Sequence, residues 1–303
     1  MSAAMVCDLQ TANRLYRHSV AHAVITFERP YTTLVDASGQ VQQYDIRSLH
    51  NQPSSTRTLR LFRSLELDST LFNIIANAIV FVGDTATSLE DRRLPLNPLE
   101  LQKHASLLLY RLLDWYKLGE EEPINERNPL DQSVCLALMI CIVIAANTSP
   151  SDEFMVQTAA HKLKTSLSKC LFRWTKAPDL FVWTLLMGAL ATNHGQQPNS
   201  VFPFFKQCCG LVFADHGFDE SSNTEEILDR MRKCIWLPKL DKKVKKLLNG
   251  MGFGRGEDVV ETVEYPGDGM TEDVGWDVDA LGKEHVVGGL TNGRFFGKRS
   301  ESL

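Results

Sequence analysis

The chain has 303 residues, 44% hydrophobic and 23% charged, an ordinary globular composition able to bury one or two sizeable cores. That balance excludes fibrous, collagen-like and wholly disordered chains. With 32 Lys and Arg against 37 Asp and Glu, the formal charge of -5 is too mild to imply a protein that grips nucleic acid through bulk charge.

Residues 8–26 form a candidate helix. The stretch 28–64 is polar and interrupted by Pro30, Gly39 and Pro53, which reads as loop, with a short hairpin turning at Ala37-Ser38-Gly39 between 32–35 and 41–44. From Leu65 the pattern changes. Leu71, Ile74, Ile75, Ala78, Ile79 and Val82 recur at three and four residue steps, one stripe of a helix, with Asp68 as its cap.

The next helix opens on Asn97-Pro98, with Glu100 three residues beyond the cap, and its face is Leu101, Ala105, Leu108, Leu112 and Trp115. Asn128-Pro129-Leu130-Asp131 repeats the device and opens the most apolar helix, which runs to about Ala146. Ser149-Pro150 starts another, carrying Phe154, Ala159, Leu163, Leu167, Leu171 and Trp174. Residues 179–191 are again apolar on every side, weakened only by Gly188. Helices over 202–213, 224–237 and 240–251 complete the series, the second headed by Ser222 or Asn223 with Glu225 or Glu226 placed for capping, and Pro238 separates the last two.

Such a run of helices without alternating strands predicts an all-α fold, a helical bundle of about seven to nine helices with the two fully apolar ones at its centre. The predicted organisation is an N-terminal helix and irregular polar segment over 1–64, an all-α domain over 65–251, and a tail over 252–303. The longest apolar stretch, 134–146, falls short of the roughly 20 residues a bilayer needs and reads as a core helix, so no membrane association is expected. No charged leader with an apolar run opens the chain, and the seven cysteines, odd in number and without CxxC pairs, read as reduced thiols of the nucleus or cytoplasm.

Twelve of the 19 glycines lie between Gly250 and Gly297, so the tail is expected to be disordered. Between Gly256 and Gly282 nine acidic residues and no basic one are interleaved with Tyr265, Trp276, Val278, Leu281 and several valines, the composition of an acidic activation segment or of a plain solubilising tail.

Other constellations carry less chemistry. Gly250-Met-Gly-Phe-Gly-Arg-Gly has no strand before it and reads as a linker leaving the last helix, not as a phosphate cradle. His18 and His22 share a helix face, but lack the glutamate of HExxH and a third ligand, so no metal is expected. Glu90-Asp91-Arg92-Arg93 sets cations beside its carboxylates and is no magnesium site; no GxSxG elbow or Cys–His nucleophile pair stands out, so neither an enzyme nor a cofactor is expected. Lys239, Lys242, Lys243, Lys245 and Lys246, with Leu240, Val244, Leu247 and Leu248 between them, form a basic amphipathic helix. It reads either as a docked helix with a solvated face or, at Lys242, Lys243, Lys245 and Lys246, as a nuclear import patch or a surface for an acidic partner.

Asn128-Pro129-Leu130 with the apolar run 135–146, then Leu171-Phe172-Arg173-Trp174, Pro178-Asp179-Leu180-Phe181-Val182-Trp183-Thr184-Leu185-Leu186-Met187-Gly188-Ala189, Phe204-Phe205 and Cys234-Ile235-Trp236-Leu237 follow in this order. The order and spacing resemble the regulatory, middle-homology domain of fungal-specific transcription factors, over roughly 65–251. Ala189 stands where the family's Gly-Gly-like helix has its second glycine. The resemblance implies a transcription regulator in the nucleus that acts through protein partners of the transcription machinery or a DNA-binding regulator, and through an effector lodged in the bundle. The family's zinc binuclear cluster needs six cysteines in a basic segment, whereas Cys7 stands alone before residue 135, so direct nucleic acid binding by this chain is not expected. A homodimer through an exposed apolar face fits the pattern, which does not locate one. The alternative class is a helical small-molecule-binding protein or enzyme, with a pocket between the central apolar helices lined by Trp174, Trp183 and Cys141.

Overall fold

The computed structural model describes residues 19–20, 22–23, 26–30, 53–90, 98–121, 127–146, 152–193, 200–215 and 224–253. All lie in the first of the chain's two compact units, Met1–Glu257. Nine α-helices have both ends among the described residues: α1 Pro53–Arg63, α2 Ser69–Glu90, α3 Pro98–Glu121, α4 Pro129–Ala146, α5 Asp152–Cys170, α6 Pro178–Thr192, α7 Phe202–Asp215, α8 Thr224–Met231 and α9 Leu240–Met251. A 3-10 helix, Leu171–Lys176, joins α5 to α6. No strand occurs among the described residues, which form an all-α bundle.

The bundle is organised around its two most apolar helices. α4 packs against α2, α3, α5 and α6, and α6 packs against α4, α5, α7, α8 and α9. Every residue of α6 from Leu180 through Thr192 is buried, as is most of α4. By length and composition alone α4 and the 69–87 stretch of α2 are long enough to cross a bilayer, but both are mostly buried against neighbouring helices. The hydroxyls inside these helices are satisfied locally: Ser133 donates to the Pro129 carbonyl at 2.7 Å, Thr184 to Leu180 at 2.8 Å and Thr192 to Gly188 at 3.0 Å.

The caps fall where the side chains dictate. Asp68 Oδ1 accepts the N–H groups of Thr70 and Leu71, each at 3.0 Å, and starts α2. Asn128 Oδ1 accepts the Leu130 N–H at 3.1 Å, with Pro129 at the first helical position of α4. α9 ends at Gly252, whose φ of 92° is the left-handed turn that a glycine tolerates; the Phe253 N–H then reaches back to the Leu248 carbonyl at 2.9 Å. The Gly250–Phe253 stretch is therefore a helix stop, and the Phe253 ring meets Phe213 edge-on at 4.9 Å.

Three local features depart from the sequence reading. Residues 53–63, expected as loop, form α1, because Thr58, Phe62 and, just beyond the helix, Leu65 make one narrow buried stripe in an otherwise polar stretch. Helical packing thus extends N-terminally past Leu65, and Val20, Ala23 and Phe27 join the same core. The helix expected over 224–237 stops at Met231. Beyond it the chain turns, with Lys233 and Cys234 N–H groups bonding three residues back, and the carbonyls of Lys233 and Ile235 are taken by side chains from α1 and α6. Pro238 denies an N–H and disfavours helix at Leu237. The end of α5 tightens into the 3-10 turn instead of running on to Trp174. The 32–44 hairpin falls outside the described residues.

Candidate functional site

The segments quoted for the family resemblance meet in space. Trp183, fully buried on α6, donates its indole Nε1–H to the Ile235 carbonyl at 2.8 Å, and its ring meets Phe62 edge-on at 6.1 Å. Thr58 of α1 donates to the neighbouring Lys233 carbonyl at 3.1 Å. One turn earlier on α6, the Asp179 carboxylate faces Arg230 at 3.9 Å and the Asp179 carbonyl accepts the Cys234 thiol at 3.7 Å. Trp174 stacks on Phe181 at 5.3 Å, and Arg173 donates to Asn128 Oδ1 at 2.7 Å. Phe205 of α7 lies directly against the backbone of Gly188, where a Cβ would enter its ring. This close approach explains the glycine inside an otherwise apolar helix.

Trp174, Trp183 and Cys141, proposed as pocket liners, are core side chains with 1%, 0% and 0% exposure. Burial pushes the Cys141 thiol up to about 12, so it stays a neutral thiol. The six described cysteines, Cys135, Cys141, Cys170, Cys208, Cys209 and Cys234, are all buried and free.

Lys242, Lys243, Lys245 and Lys246 stand on the exposed face of α9, while Leu240, Val244, Leu247, Leu248 and Met251 are buried beneath. The group is not uniform. Lys245 bonds Glu225 of α8 at 2.7 Å, which raises its pKa, and Lys239 donates to the Ala145 carbonyl at 3.0 Å, satisfying an orphan acceptor at the end of α4. Burial, and then the charge of Lys243, depress the Lys239 ammonium. Glu225 also holds Arg232 at 2.7 Å, and Arg232 in turn bonds Asp229 and Asp241, so this acid ties α8 to α9. Ser222, Asn223, Tyr265, Trp276, Val278, Leu281 and His18 lie outside the described residues; among the described ones, no group of three or more His, Cys, Asp or Glu could hold a metal ion.

A polar cluster that the one-dimensional pattern does not reveal joins the starts of α2 and α4. Asp131, only 6% exposed, accepts the Asp68 backbone N–H at 3.1 Å through Oδ2, and its Oδ1 is buried without a partner. Asp68 also accepts the Trp115 indole N–H at 2.9 Å and lies 3.7 Å from Arg127, whose guanidinium covers the Trp115 ring at 4.7 Å. Burial alone would raise the Asp68 carboxyl, but the Leu71 N–H, the Trp115 N–H and the charge of Arg127 together hold it below its usual range. Asp131 goes the other way: burial, and then the charge of Asp68, raise it against the Asp68 N–H bond and the charges of Arg173 and Arg127.

A raised carboxyl favours the protonated form in the fold, so Asp131 stabilises only as pH falls through its folded-state pKa and weighs against folding at neutral pH. Asp131→Asn, which keeps the acceptor for the Asp68 N–H and carries no charge, is expected to unfold at higher denaturant concentration than wild type at neutral pH. The two midpoints should converge as pH falls through the carboxylate range; a neutral-pH midpoint equal to or below wild type would refute this.

The described residues form an all-α bundle around one continuous hydrophobic core. No family model matches the chain, and no curated protein and no solved structure is similar to it.

Proposed function

We propose that the chain is a transcription regulator of the fungal-specific transcription factor type, whose all-α domain works through contacts with the transcription machinery or with a DNA-binding regulator. The observation that supports this reading is the convergence of the family-like segments. These segments are spread over more than a hundred residues, yet Arg173 bonds Asn128, Trp174 stacks on Phe181, Phe205 packs on Gly188, and Ile235 and Cys234 bond Trp183 and Asp179. Their resemblance is then that of one structural unit, in which order and spacing have a physical reason, and not of scattered apolar strings.

The test is to fuse the full chain to an unrelated DNA-binding domain and to follow a reporter and the nuclear fluorescence of a tagged copy. A change in reporter output of either sign is expected, with nuclear accumulation that falls when Lys242, Lys243, Lys245 and Lys246 are replaced by Gln. An unchanged reporter, or tight binding of the untethered protein to specific promoter DNA, would overturn the reading. A reporter lost on removing 252–303 would assign the output to the acidic segment with Tyr265, Trp276, Val278 and Leu281; output retained without it would assign it to the bundle.

A further inference from the structure

Phe172 projects from the 3-10 helix with 93% of its surface in water, the most exposed large apolar side chain among the described residues. A single exposed apolar residue is ordinary, but three observations set this one apart.

The first is that its neighbours in the 3-10 helix are bonded to other elements. On one side Arg173 is bonded to Asn128, ahead of α4, and further along Lys176 is bonded to Glu66, beyond α1, at 3.0 Å. Trp174, next but one, is locked in the core against Phe181. The backbone on which the ring stands is thus anchored by the buried Trp174, with two surface bonds beside it.

The second is charge. Lys169, Arg173 and Lys176, at steps of three and four residues around the ring, are all exposed. Lys176 bonds Glu66, and the charge of Arg173 acts on both Glu66 and the buried Asp131, so three exposed cations stand beside a single exposed carboxylate. The third is the residue types: an aromatic among arginines and lysines is the composition of an interface centre with a steering rim.

We infer that this face docks a linear acidic peptide segment of a protein partner, its carboxylates meeting Lys169, Arg173 and Lys176 while a large apolar side chain packs on Phe172. A bilayer would find one ring and no apolar face. The inference stands on this surface and does not depend on a transcriptional role.

The experiment is fluorescence anisotropy of the full chain with a labelled synthetic peptide of aspartate and glutamate interspersed with leucine and one tryptophan. Saturable binding that weakens with added salt is expected. Phe172→Ala and, separately, Lys169→Glu should each weaken it about tenfold with unchanged melting temperature. Matched peptides with acids changed to amides, or with leucine and tryptophan changed to serine, should not bind. No binding, or binding indifferent to Phe172→Ala, overturns the inference. So does tighter Phe172-dependent binding of a short single-stranded DNA, which would make the partner a nucleic acid, or a sedimentation change in Phe172→Ala without peptide binding, which would make it a second copy of this chain.

Discussion

Replacing Gly188 by valine is expected to lower the stability of the bundle by about 3 kcal/mol, the upper range for overpacking a core. A Cβ at this position enters the Phe205 ring, and that ring is itself fully buried and edge-on to Phe204 at 5.4 Å, so it cannot swing into open space. Alanine should cost less, because the gain in helix propensity over glycine, about 1 kcal/mol, offsets part of the clash. Two comparisons isolate the cause. Gly250→Ala, where a Cβ meets nothing within 4 Å, should leave stability unchanged or slightly raise it. The double variant Gly188→Ala with Phe205→Ala should lose at least about 1 kcal/mol less than the sum of its parts, as contacting sites do. Urea unfolding measures all of these, and strict additivity would show that the clash is not the mechanism.

Trp183→Ala is expected to cost about 3–5 kcal/mol, since it empties a large buried volume between α1 and α6. Trp183→Phe separates packing from hydrogen bonding. It keeps most of the ring but leaves the buried Ile235 carbonyl without its donor, for a cost of about 1–2 kcal/mol. The phenylalanine variant should also loosen the turn 232–236 selectively, seen as faster amide exchange there while α4 keeps its protection. Uniform loss of protection over α4 and the turn alike would mean that Trp183 acts through the core as a whole.

How far the chain discloses this architecture depends on the range of the forces involved. α2 through α7 are legible because each carries a long apolar period, and two of the starts, at Asp68 and Asn128-Pro129, are punctuated by caps acting within two or three residues. The centrality of α4 and α6 follows from their lack of a polar face. α1 escapes because its buried stripe is only Thr58, Phe62 and Leu65 in a polar stretch, too few to stand out until the rest of the core exists to receive them. The stop at Met231 is likewise non-local: carbonyls that a longer helix would have used are claimed by Thr58 and Trp183, which lie 175 and 52 residues from their acceptors. The Asp131 bond to the Asp68 backbone spans 63 residues and has no signature in periodicity. For the candidate site, the residue types of the lysine face are plain in the sequence, but the division of labour within it is not. Lys239 closes the end of α4 and Lys245 binds α8, leaving Lys242, Lys243 and Lys246 as the part of that face without these structural duties.

The six buried thiols give the bundle a built-in record of its own breathing. Sealed and neutral in the closed state, they become alkylatable only when the surrounding helices separate. Cys135 and Cys141 lie in the central α4, Cys170 at the end of α5, Cys208 and Cys209 in α7, and Cys234 in the turn pinned by Trp183. The order in which they take up a reagent is therefore a map of which layers of the molecule open first, obtained from the natural chain without a single engineered probe.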